Sequence, residues 1–239
     1  MNRAAIVNVG GVCALLGVCA GLAGAVVGAV YGLGGQEIPL RQGADFLSLV
    51  EKQSAFYVRE WLFLGYAVCV LGEGVGLYYL TRPVGSMALW ALALFSAGIL
   101  IGIVQDAEVV AFVGQFPTDY VEADTTTRSA LEPMARTFGA IIGVQQAVAN
   151  MLLGCGVALY ALAVLRTGVV SRWFGVLGLV SAAASVLFGV VTATTQVNDF
   201  DRLAEQLFGF VVLWDLLAAS VMLRIGKDSP LLADPAAIS

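Results

Sequence analysis

Residues 101–116 read IGIVQDAEVVAFVGQF. An apolar, helix-like run takes in Gln105, Asp106 and Glu108 and then resumes its apolar pattern. Carboxylates are cheap in water and costly in oil, so this stretch can be read only once the membrane boundary has been placed. The composition demands a membrane. Of 239 residues, 59% are hydrophobic and 12% charged, with a mean hydropathy of +0.89, whereas soluble domains carry about 25% charged residues.

A transmembrane helix needs about 20 apolar residues to cross roughly 30 Å of hydrocarbon. Six stretches satisfy this: Ala4–Leu33, Tyr57–Leu80, Ser86–Phe112, Phe138–Leu165, Trp173–Thr194 and Leu203–Ile225. The fold class expected is therefore all-α, a bundle of six transmembrane helices. It forms one domain over residues 1–227, followed by a flexible cytoplasmic tail, 228–239. The first stretch follows Arg3 as a secretory signal would, but it is about twice as long as a signal core, which favours a retained helix. The segment LLGVC ending at Cys19 lacks the small residue expected before a lipidated cysteine.

Short basic segments set orientation. With the N-terminus inside, Arg3, Arg82, Arg166, Arg172, Arg224 and Lys227 lie on short cytoplasmic segments. Arg41, Lys52, Arg59, Arg128, Arg136 and Arg202 fall on longer outer loops. Both termini are expected in the cytoplasm. Tyr78, Tyr79, Trp90, Tyr160 and Trp173 would form an inner aromatic belt, and Tyr31, Tyr57 and Trp61 an outer one. Phe46, Leu49, Val50, Gln53 and Tyr57 recur at helical spacing, so Asp45–Val58 reads as a short amphipathic helix on the outer surface. The loop PTDYVEADTTTRSALEPMART reads as a short helix capped near Asp124 and ended or bent by Pro133.

The third span enters near Ser86, and at 1.5 Å per residue about 20 residues bring it to Gln105. Asp106 and Glu108 are then expected at the outer interface, with Gln105 completing an outer vestibule. Other acids lie deeper. Glu73 precedes Arg82, and Asp215 precedes Arg224, by the same interval, about 13 Å above the inner boundary. An acid at that depth costs at least ~2.5–3.5 kcal/mol and usually faces protein or water. If the two touch in a dry site they must share a proton, because like charges cannot both ionise at close range.

Several patterns have both a packing and a functional reading. LGEGVGLYYL (Leu71–Leu80) and LGCGVALYAL (Leu153–Leu162) agree at seven of ten positions and hint at two related hairpins, with Glu73 standing where the other copy has Cys155. Gly139, Gly143, Gln146, Ala147, Asn150 and Gly154 share one helical face. Gln146 and Asn150 there could be interhelical glue or a polar lining. Gly17, Gly21, Gly24, Gly28 and Gly32 in the first span, and Gly178, Ala182, Ser185 and Gly189 in the fifth, read as close-packing seams. Gly72 and Gly74, on either side of Glu73, could loosen the helix as in discontinuous transporter helices.

No basic stripe exists for nucleic acid, and there is no histidine. Cys13, Cys19, Cys69 and Cys155 lack metal-ligand spacing and read as buried thiols, a helix-to-helix disulfide being the alternative. No metal or cofactor is expected. Hydrolase, nucleotide and dinucleotide motifs are missing. The six-span order, the segment YVEADTTTRSALEPMA (Tyr120–Ala135) and the turn LRTGVVSRWFGVLGLV (Leu165–Val180) resemble an uncharacterised family of bacterial six-span integral membrane proteins, the DUF4386 type. That resemblance implies a six-helix bundle in a bacterial cytoplasmic membrane and supplies no catalytic residue.

Three functions are compatible with these residues. The first is a membrane scaffold or accessory protein without catalysis, whose polar groups only hold helices together. The second is a proton-coupled carrier of a small polar or cationic solute, in which Glu73 and Asp215 take the proton, Gln146 and Asn150 line the path, and Gln105, Asp106 and Glu108 attract solute outside. The third is a membrane-embedded hydrolase. The partners expected are the lipid bilayer and, in the second case, a small solute; the oligomeric state is left open.

Overall fold

The computed structural model describes residues 2–33, 52–168, 170–194 and 200–228, with side chains left undescribed at 192, 194, 200–208 and 227–228. Its described residues form six long helices: α1 (Arg3–Tyr31), α2 (Gln53–Thr81), α3 (Ser86–Glu122), α4 (Thr125–Thr167), α5 (Arg172–Thr194) and α6 (Phe200–Asp228). A one-turn 3₁₀ helix, Arg82–Val84, joins α2 to α3. All six long helices are long and apolar enough to cross a membrane. Successive helices pack side by side, and α6 closes the ring against α1, while α2 also touches α4 and α6 and so lies nearest the centre. Gly226 of α6 rests on Asn8 of α1, so the first and last helices have their outer termini at one end of the bundle, here the terminal end.

Local chemistry explains where these helices start and stop. Asn2 caps α1, its side chain accepting from the Ala5 N–H, and Gly32 ends the helix in the left-handed region. Between α2 and α3, Gly85 adopts φ 70°, ψ −130°, a conformation effectively reserved for glycine. Asp124 caps α4 by accepting from the Thr127 N–H, as its position in the sequence suggests.

The connection between the third and fourth spans departs from expectation. The third helix does not stop at Phe112 but runs to Glu122, and the fourth starts at Thr125 rather than Phe138, so the anticipated loop is itself helical. At 37 and 43 residues these helices measure about 55 and 65 Å, well beyond a bilayer core of roughly 30 Å. They form a protruding hairpin whose far end is here the hairpin end. Pro117 and Pro133 lie inside these helices and terminate neither. A proline removes the N–H that would bond the carbonyl four residues earlier. For Pro117 that carbonyl belongs to Val113, and Gln53 Nε2 supplies the missing donor at 2.9 Å. The hairpin has its own small core: Phe112 stacks on both Phe116 and Phe138, and Phe116 stacks on Tyr120.

The separate surface helix expected at Asp45–Val58 is also revised. Gln53–Val58 is simply the first turn and a half of α2, and residues 45–51 lie outside the described residues, as do 229–239 of the tail. The glycine seams behave as internal packing. A methyl group on Gly10 would lie 2.6 Å from the Cα of Gly76, so α1 and α2 meet backbone to backbone. Gly17, Gly24 and Gly28 likewise face α2 residues, and Gly178 and Gly189 face α6 and α4. The apolar surface that remains, including Val30, Trp90, Val144 and Trp173, points outward as a lipid-facing side should. Tyr160 does not belong to the aromatic belt: it is fully buried, packs edge-on against Phe95, and donates to the Gly74 carbonyl at 2.8 Å.

Candidate functional site

Both deep acids point into the bundle. Glu73 on α2 is 0% exposed and Asp215 on α6 is 2% exposed. They lie close enough to feel each other's charge, and Glu73 also senses Cys13 of α1. The Tyr66 hydroxyl donates to Asp215 Oδ2 at 2.7 Å. Neither carboxyl oxygen of Glu73 has a hydrogen-bond partner among the described residues. The depths are not quite equal. Parallel helices α2 and α6 are registered by Tyr66 against Asp215 and by Gly76 against Met222. Asp215 therefore sits beside Tyr66, and Glu73 lies about one to two turns nearer the terminal end.

The two copies of the internal repeat diverge here. Phe95 of α3 fits between the corresponding glycines Gly74 and Gly156, each within 2.8 Å of where a methyl group would sit. Yet Glu73 is enclosed while its counterpart Cys155 is exposed. The central place of α2 makes the difference: its flank is covered by α1 and α6, whereas the matching flank of α4 is left bare.

A second polar cluster lies nearer the hairpin end. Gln105 is fully buried, and its Nε2 donates to Gln146 Oε1 at 2.7 Å across the α3–α4 contact. Gln105 Oε1 and Asn150 Nδ2 are buried without hydrogen-bond partners among the described residues. Asp106 is only 8% exposed, whereas Glu108 is part-exposed on the flank of the helix. Of the three residues read as a vestibule, two are therefore enclosed by neighbouring helices and one is at the surface. The register of the α3–α4 contact joins Gln105 to Gln146, with Asn150 one turn further along α4, and leaves Glu108 outside it.

Sequence reasoning missed a third feature. Arg59, expected on an outer loop, is inside α2 and buried, with Nη2 2.8 Å from Glu60 Oε1 and Nε donating to the same oxygen at 2.9 Å. Its Nη1 donates to the Leu33 carbonyl at 3.2 Å, and its guanidinium lies over the Phe56 ring. The signal available was Glu60 beside Arg59 in the run YVREWLFLGY, an acid and a base entering oil together. Tyr66 and Tyr160 were also missed as polar groups, because an aromatic in a span gives no hint of where its hydroxyl goes.

Six apolar spans ringed around buried carboxyls define a multi-pass helical membrane protein. The chain belongs to the family described as Domain of unknown function (DUF4386), whose model matches residues 9–226. No curated protein and no solved structure matches it.

Proposed function

We propose that this protein is a proton-coupled carrier of a small polar or cationic solute, with Glu73 and Asp215 as the groups that bind and release the proton. One observation carries the reading: a carboxyl with both oxygens unpartnered among the described residues, fully enclosed, within electrostatic range of a second buried carboxyl. Burying a charge without a partner costs several kcal/mol, so such a group is held neutral, and a neutral acid is a stored proton. A protein whose polar groups only glue helices together has no use for Glu73, and Cys155 stands at the matching position of the repeat. Gln146 and Asn150 supply the polar lining.

The scaffold reading draws on the close glycine seams, such as Gly10 against Gly76, which favour a firmly packed bundle. The hydrolase reading finds less support: the buried Ser185 hydroxyl is spent on the Ser181 carbonyl of its own helix. On the carrier reading the bundle sits in a bacterial cytoplasmic membrane with both termini inside. The α3–α4 hairpin then projects outward. In proteoliposomes, Glu73→Gln combined with Asp215→Asn should abolish solute-dependent proton movement while leaving helicity and elution volume unchanged. Unaltered flux in the double variant removes the carrier reading.

A further inference from the structure

The two buried acids differ in what stands ready to receive a negative charge. At Asp215 a donor is in place, because the Tyr66 hydroxyl donates to Oδ2 at 2.7 Å. The ring that carries this hydroxyl is set between helices. Its Cδ2 lies 3.6 Å from where a methyl group on Gly17 of α1 would sit, while the hydroxyl reaches α6.

Glu73 has no such donor. Both of its oxygens are buried without a hydrogen-bond partner among the described residues. A second hydroxyl, that of Tyr160 on α4, is within electrostatic range of Glu73 but donates its one proton to the Gly74 carbonyl at 2.8 Å. The turn that holds Glu73 is flanked by groups that solvate an anion poorly. Methyl groups on Gly72, Gly74 and Gly76 would lie 2.6, 2.7 and 2.7 Å from Cys13 Sγ, Phe95 Cδ1 and Met222 Sδ.

The other ionisable groups do not alter this contrast. Cys13 of α1 faces Glu73, and Cys69 of α2 faces Cys13. α3 meets this level with Phe95, and α5 has no ionisable side chain beyond Arg172. On α6 itself Glu205 and Arg224 are ten and nine residues from Asp215, about 15 and 13 Å along the axis. Arg59, seven residues before Tyr66, is paired with Glu60.

A hydrogen bond to an ionised acceptor is roughly twice as strong as one between neutral groups, so a donor aimed at a carboxyl favours its charged form. Two acids within electrostatic range in a dry bundle do not both ionise. Only one of them has a donor aimed at it. We infer that Tyr66 is a positioning residue that fixes the order in which the pair ionises: Asp215 gives up its proton first, and Glu73 keeps its own while Asp215 is charged. The O–H bond of Asp215 breaks, the electron pair stays on the carboxylate, and the proton leaves to the medium. Glu73 is then the store and Asp215 the member that exchanges. This deepens the carrier reading and rests on it for its use in transport, but the order of ionisation is measurable without transport.

The test is infrared spectroscopy of the full chain in lipid nanodiscs, following the carbonyl stretch of protonated carboxyls from mildly acid to mildly alkaline pH. Wild type should lose one buried-carboxyl band as pH rises and keep a second. Asp215→Asn should remove the band that titrates, and Glu73→Gln the band that persists. Tyr66→Phe keeps the ring and removes the donor, so the titrating band should disappear about one pH unit higher, a tenfold change in proton affinity. A tyrosine that served packing alone would leave that midpoint where it is. Circular dichroism reports folding, and if Tyr66→Phe does not fold, the two acid variants decide. A titrating band that belongs to Glu73, two bands that vanish together, or a midpoint unmoved in folded Tyr66→Phe overturns the inference. If proton movement in proteoliposomes is unaltered by the double acid variant, the carrier reading falls while the bands still decide the order of ionisation.

Discussion

Two glutamates on one helix are both fully buried, and they have opposite surroundings. Glu60 is gripped by a guanidinium at 2.8 Å, in a cluster that also ties α2 to the end of α1 through Leu33. Glu73, nearly four turns further on, has a second acid in range and no hydrogen-bond partner among the described residues. Burial alone says nothing of an acid's role. A carboxylate with a fixed cation is part of the architecture, and its charge is locked in place. A carboxyl whose strongest electrostatic neighbour is another acid is a place where a proton can be held and lost.

The contrast is broken or sharpened most strongly by removing one partner of the ion pair. Arg59→Met leaves a buried, unpaired Glu60 and should cost about 3–5 kcal/mol of stability. Arg59→Met combined with Glu60→Leu should recover most of that loss. Glu73→Gln, by comparison, replaces a neutral acid with a neutral amide of similar shape and should change stability by less than about 1 kcal/mol. Thermal unfolding in nanodiscs measures all three. If Glu73→Gln were as damaging as Arg59→Met, the distinction between the two acids would be lost.

A smaller effect is expected at Tyr66. Tyr66→Phe removes the donor to Asp215 while keeping the ring, and should destabilise by about 1 kcal/mol. A loss as large as that of Arg59→Met would show that Asp215, too, is held as architecture.

The mildest effect lies outside the bundle, at Asp124. Its bonds from Thr127, chiefly the backbone N–H, hold the carboxyl below the usual aspartate value. The folded-state value is depressed, so the cap's contribution is present above the unfolded aspartate pKa, about 3.9. It is lost as pH falls through the lower folded value. Amide protection at the start of α4, taken relative to intrinsic exchange at each pH, should therefore fall in strong acid, and Asp124→Ala should already show the lowered protection at pH 7. Protection that stays constant with pH in the wild type would mean that the cap does not secure the turn.

Much of this was legible in the chain because a bilayer imposes a one-dimensional rule. Spans must be apolar for a set length, so the number of helices, the turn at Arg82–Gly85 and the cap at Asp124 follow from local sequence. The α3–α4 hairpin escaped that rule. Beyond the lipid, Pro117 and Pro133 read as breakers, and the compensating donor for Val113 comes from Gln53, far away in sequence. Which face a residue presents escaped it too. Arg59, Tyr160 and Asp106 look like boundary residues when counted along the helix and become interior ones only when neighbouring helices cover them.

The amino-acid sequence by itself determined six membrane helices and the presence of Glu73 and Asp215 far from either boundary, because hydropathy and helical rise act along a single chain. Tertiary structure alone decided that both acids face the interior of the bundle, that Arg59 neutralises Glu60, and that Gly98 faces backbone. Those outcomes depend on rotation and register between helices, which arise from side-chain shape at contacts between distant segments and leave no local periodic signature.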